Sequence, residues 1–174
     1  KALRAIEYLN KHGANSISVL CVIMGFNLGD LAELAEWVER NDAISSIYFQ
    51  AVSQPPGAAL GKQWYRHSEF AFLWPEEAKA GAVIGRLMEL KGQGKKISNS
   101  FRQLEMFKAY FKSPESLSQG ITCNQGDYVI YARPTGEILL CGALPPIGSV
   151  RKDNIITLWN SEEARVRRKQ IYSC

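Results

Sequence analysis

The chain lacks any apolar run near the roughly 18 residues that a membrane-crossing helix needs. Its longest, Val19 to Phe26, has strand length. A strong charge of one sign is also missing. With 21 basic and 17 acidic residues the net charge is +4, too mild and mixed to mark a nucleic-acid binder. There are no internal repeats, no low-complexity tracts and no visible signal peptide. The four cysteines are widely and irregularly spaced, which excludes a small secreted disulfide scaffold and leads us to expect a reducing, cytoplasmic setting. What is present is enough apolar residue, 46% of 174, to bury the core of one medium domain or one and a half.

Hydrophobic periodicity divides the chain. Residues 1–12 predict a helix with Ala2, Ala5, Ile6 and Leu9 on one face, Gly13 as its C-terminal cap and His12 beside it. Ser16 to Met24 and Ile44 to Val52 read as strands. Between them lies a helix opened by Asp30 and Glu33 as a variant capping box. Alternating helices and strands with short joints predict parallel pairing in an α/β sheet. After a Pro/Gly loop from Ser53 to Lys62 comes an aromatic stretch holding Trp64, Tyr65, Phe70, Phe72 and Trp74. Pro75-Glu76-Glu77 opens a helix to about Leu90, and Ser100 with Gln103 caps another that ends before Pro114. Tyr128 to Ala132 and Glu137 to Cys141 predict a hairpin, and Asn160 or Ser161 caps a last helix. Its Arg165, Arg167, Arg168 and Lys169 read as a solvated face.

Cys123 is followed after twelve residues by Gly136, after four more by Cys141, and Cys174 ends the chain. A cysteine, a glycine-led hairpin and a second cysteine converge two thiolates, as metal and iron–sulfur sites require. Zinc suits an all-cysteine site equally well. A pair of buried free cysteines is the plain alternative, and it is the favoured reading for Cys21, which sits mid-strand.

The stretch LPPIGSVRKDNIITLWNSEEARVRR resembles the "IGNV…D…IWNSEEAR…R" segment of the SPASM or twitch cluster domain of radical S-adenosylmethionine (SAM) enzymes. SISVLCVIMGFNLGDLAELAEWVERNDAISSIYFQAVSQP is similar to the late strand–helix–strand part of that family's partial barrel. The resemblance implies three segments: residues 1–62 from the end of a partial (β/α) barrel, 63–118 an aromatic loop and helical connector, and 119–174 a truncated auxiliary domain of hairpin and helix. It implies Cys123, Cys141 and Cys174 as ligands of an auxiliary [4Fe–4S] cluster. It implies Phe49, Gln50, Ala51 and Asn27 as contacts to SAM. The family forms a 5′-deoxyadenosyl radical from SAM, draws electrons from a reductant such as a ferredoxin or flavodoxin, and acts on small-molecule or peptide substrates.

The family's CxxxCxxC loop is absent, so no catalytic residue is assigned and the chain by itself is expected to be inactive. It begins at Lys1 without an initiator Met, which reads as a piece of a longer protein. A half barrel cut from its neighbours would bare a strand edge, near Ser16 or near Ile44. That edge is expected to be covered by residues 64–112 or by a second copy. The rival reading from another class is a zinc-stabilised, non-enzymatic module that binds a protein through its aromatic loop. No nucleic-acid or membrane partner is expected.

Overall fold

The computed structural model describes residues 1–13, 16–54, 63–117 and 122–173. Cys174, one of the three expected ligands, lies outside the described residues, as does most of the loop from Ser53 to Lys62. Residues 1–54 and 63–117 form one compact unit and 122–173 belong to a second. Residues 63–117 of the expected connector belong to the same unit as the strands.

In the first unit, β-branched runs make two parallel strands, β1 (Ser18–Ile23) and β2 (Ser46–Ala51). They pair in register from Ser18 with Ser46 to Ile23 with Ala51, and the crossover is α2 (Leu31–Glu39), which follows α1 (Ala2–Lys11) and β1 in the chain. The expected Asp30 cap is not made. Leu28–Asp30 already turn as a 3-10 helix, so Asp30 has helical rather than extended backbone and its carboxylate meets no terminal N–H. The apolar face of α1 also differs from expectation. None of its residues is buried and only Ile6 packs against the core, because among the described residues nothing covers Leu3, Tyr8 and Leu9.

The second crossover, α3 (Glu77–Gly92), returns the chain to the far edge of β2. There Ile47 N–H donates to the Lys96 carbonyl at 2.8 Å and Ser98 N–H donates to the Ile47 carbonyl at 2.9 Å. Asn99, fully buried, continues the edge with its side chain. Its Oδ1 accepts from Phe49 N–H at 2.7 Å, and its Nδ2 donates to the Phe49 carbonyl at 2.9 Å. Residues 96–99 thus cover the edge of β2, as expected of the 64–112 segment, and the described residues offer β1 no second strand.

Strand alternation separates two faces. Val19, Cys21 and Ile23 of β1 share a side with Ile47, Phe49 and Ala51 of β2, and this side packs against α2 and α3. Those helices lie side by side, and Arg86 reaches Glu36 between them at 3.6 Å. The opposite side carries Ser18, Leu20, Val22, Ser46, Tyr48 and Gln50, and Leu20 is 61% exposed there. Parallel sheets normally bury both faces, so an open one is unusual.

Next comes α4 (Phe101–Lys112), opened by the expected capping box. Ser100 Oγ accepts from Gln103 N–H, and Gln103 Oε1 accepts from Ser100 N–H. Pro114 begins one further short turn, α5 (Pro114–Leu117).

The second unit is a three-stranded antiparallel sheet in the order β3 (Tyr131–Ala132), β4 (Glu137–Leu139), β5 (Gly148–Ser149). The hairpin turns at Gly136, with φ +91°. Two capped helices follow: α6 (Ile155–Trp159), whose first N–H groups donate to Asn154, and α7 (Glu162–Tyr172), capped by Ser161. The basic run of α7 is not simply solvated. Arg168 lies over the Trp159 ring and donates to the carbonyls of Gly126 and Trp159, and Arg167 pairs with Glu163. Arg168 fastens the helix to its own unit, Arg167 pairs within the helix, and Arg165 and Lys169 face solvent.

Candidate functional site

Two places carry chemistry, one in each unit. The first is the carboxyl end of the strand pair, where α/β sheets hold ligands. The backbone of 72–74 crosses this end. Gly25 N–H donates to the Leu73 carbonyl at 2.8 Å, and a Cβ on Gly25 would lie 2.8 Å from the Trp74 carbonyl oxygen, so the crossing needs glycine there. Behind it Tyr65, Trp74, Tyr110 and Phe111 interlock, with Tyr65 and Trp74 stacked at 4.2 Å. The Tyr65 hydroxyl donates to Glu115 at 2.8 Å. Burial pushes the Tyr65 phenol up, and the Glu115 carboxylate adds to that. Burial likewise raises Tyr110, whose hydroxyl donates to the Val52 carbonyl at 3.0 Å.

A largely apolar pocket of about 260 Å³ opens beside that bond, between Ala51, Val52 and Ser53 at the end of β2 and Met106, Phe107 and Tyr110 of α4. α4 follows β2 closely enough to touch it twice, through Gln103 at Tyr48 and Tyr110 at Val52.

The four residues expected to contact SAM fall in different places around this end. Phe49 is fully buried on the helix side, and both its main-chain polar groups are engaged by Asn99. Ala51 lines the pocket. Gln50 is exposed on the open face. Asn27 folds the turn after β1: its Oδ1 accepts from Met24 N–H at 2.9 Å and its Nδ2 donates to the Val22 carbonyl at 2.8 Å. That is the pair of bonds a neighbouring parallel strand would make. Tyr48, Asn99, Gln103 and Tyr110 were not foreseen as members of this end. Only the Ser100–Gln103 box pointed toward it.

The second place is the pair Cys123 and Cys141. Both are free thiols, Cys123 exposed and Cys141 half-buried against the small core. Gln125 Nε2 donates to the Leu140 carbonyl at 3.3 Å, which ties the segment after Cys123 to the strand end before Cys141. Ala143 N–H lies 3.5 Å from Cys141 Sγ and donates to it. Among the described residues no three His, Cys, Asp or Glu side chains gather as a metal-binding group. Cys21 is half-buried on the helix side of β1, and burial pushes its thiol up. His67 is exposed, and His12 Nδ1 sits 2.7 Å from the Tyr8 carbonyl oxygen at the end of α1.

No protein-family model, curated protein or solved structure significantly matches this chain. Among the described residues no helix is long and apolar enough to cross a membrane.

Proposed function

We propose that this chain is part of a radical SAM enzyme, with the first unit from the later part of its partial barrel and the second an auxiliary [4Fe–4S] domain. The observation that carries this reading is the winding of the first unit. β1, β2 and the edge segment 96–99 are added in chain order, and the crossover helices α2 and α3 pack against each other on one side. A doubly wound sheet would place helices on both faces. A singly wound one leaves its other face for the interior of a barrel.

The thiols of the second unit support the cluster reading. The unit offers two unbridged thiols on segments joined by Gln125, and one of them receives a main-chain N–H. Cys123 and Cys141 would hold it, with Cys174 as the third ligand, and an auxiliary cluster supplies electron transfer or a substrate anchor. The residues of this chain contribute position: Gln125 joins the two segments, and Ala143 N–H holds the Cys141 sulfur.

Anaerobic reconstitution with iron and sulfide tests the assignment. The expected protein is brown, with a broad visible absorption band and matched iron and sulfide, and Cys141→Ser lowers both contents. A colourless protein carrying one stoichiometric zinc, needed for folding and stable in air, would instead establish the zinc module.

A further inference from the structure

We propose that the pocket between the end of β2 and α4, together with the neighbouring Tyr48 and Gln50, is a binding site for an uncharged amide bearing one apolar side chain. The volume bounds the ligand. At about 260 Å³ the pocket is smaller than the roughly 300–1,000 Å³ that holds a drug-sized ligand, so it receives one side-chain-sized group rather than a whole cofactor. It is lined by Ala51, Val52, Ser53, Met106, Phe107 and Tyr110, a surface almost wholly apolar, and the Tyr110 hydroxyl is already committed to the Val52 carbonyl. The group that enters is therefore apolar.

What lies beside the pocket sets the rest of the ligand. Gln50, next to Ala51 in the chain, stands exposed on the open face, and Tyr48 shares that face. The Tyr48 oxygen accepts from Gln103 Nε2 at 3.3 Å, and Gln103 is itself held by the capping box. With its oxygen engaged, the Tyr48 hydroxyl has its proton to give, and no acceptor for it stands among the described residues. Gln50 offers a donor and an acceptor in one plane, the complement of another amide. Among the described residues, neither the pocket lining nor the strand face beside it has an ionisable carboxylate, amine or guanidinium: Leu20, Val22, Tyr48, Gln50 and Ser98 are all neutral. On α4, Glu105 and Lys108 pair with each other at 3.2 Å, and Arg102 stands one turn before Met106. A carboxylate or phosphate entering the pocket would find no counter-charge in its lining and would have to shed its water.

The site does not involve the cysteines, and only in calling the bound amide a substrate does it rest on the enzyme reading above. The test is a ¹H–¹⁵N chemical-shift titration of the whole chain with N-acetyl-leucinamide, and with N-acetyl-leucine and adenosine as comparisons. Shifts are expected at Gln50 to Ser53 and at 106–110 with the amide, and much weaker ones with the carboxylate. Tyr48→Phe, which keeps the ring, is expected to weaken binding roughly fivefold by removing one hydrogen bond. Met106→Glu, at a position 44% exposed and so tolerant of charge, should abolish binding with the fold intact. Equal or stronger binding of the carboxylate or of adenosine overturns the proposal. So does an unchanged affinity in Tyr48→Phe, or the absence of shifts up to the solubility limit of the amide. Iron content does not enter any of these readouts, so the cluster assignment stands or falls separately.

Discussion

In the first unit Phe49, Ile84, Leu87 and Leu104 are completely buried, within a core that takes residues from both strands and from α2, α3 and α4. The second unit encloses a smaller set, Ile138, Leu140, Ile147, Leu158, Ala164 and Ile171. It compensates with local geometry: the Asn154 and Ser161 caps, the Arg168 bonds to Gly126 and Trp159, and the positive-φ backbone of Gly148 in β5. The contrast follows from size. Large side chains around a parallel ladder remove much apolar surface, whereas a unit of some fifty residues cannot, and small domains of that kind commonly recruit metals. Free thiols at the edge of the smaller unit make sense in that light.

The comparison can be broken most strongly at Phe49. Phe49→Ala removes a fully buried ring and should cost about 3–5 kcal/mol. Urea unfolding followed by amide hydrogen exchange would show lost protection in β1 and β2, with Ile138 to Leu140 unaffected. A cost under about 1 kcal/mol would mean that the core does not carry the first unit.

In the second unit the sensitive point is a backbone one. Gly148 has φ +154°, and a Cβ there would press on Leu158 and lie 3.0 Å from Asp153 Oδ2. Gly148→Ala should therefore cost about 2 kcal/mol through overpacking and strain. That is roughly a thirtyfold loss of exchange protection at Ile138 to Leu140. Unchanged protection would show that the β5 backbone yields and that local geometry does not hold the second unit.

Features written in neighbouring residues were legible in advance. The two strands, the helix after Pro75 and the Ser100–Gln103 box depend on spacings of a few residues, and each forms where expected. Asp30 misled because the 3-10 turn before it took its backbone out of the capping conformation. Arg168 misled because charge in sequence does not show which stem lies against a neighbour. Asn99 could not be seen at all, since its partner Phe49 is 50 residues away and no local pattern announces an amide standing in for a strand. At the candidate site, alternation already separates Phe49 from Gln50, so the period of the strand held more than was drawn from it. The approach of the segments bearing Cys123 and Cys141 rests on the Gln125 bond, which spacing alone does not specify.

The smallest expected effect separates the cysteines of the two units without unfolding either. Cys21 is packed on the helix side of β1, where burial disfavours its thiolate, while Cys123 is exposed. Since the thiolate is the nucleophile, iodoacetamide at mildly alkaline pH should modify Cys21 roughly tenfold or more slowly than Cys123. The Cys21 rate should go on rising beyond the ordinary thiol range. The linked stability has a definite sign. A folded-state value above the unfolded one means that the native chain holds the proton more tightly. Its contribution is complete below the unfolded value and is lost as pH rises through the raised one, so alkali and not acid should weaken the first unit through this group. Mass spectrometry of the peptide around Cys21 gives the rate directly. If Cys21 reacts as fast as Cys123, the helices do not seal that side of the strands, and the contrast between a closed face and an open one fails with it.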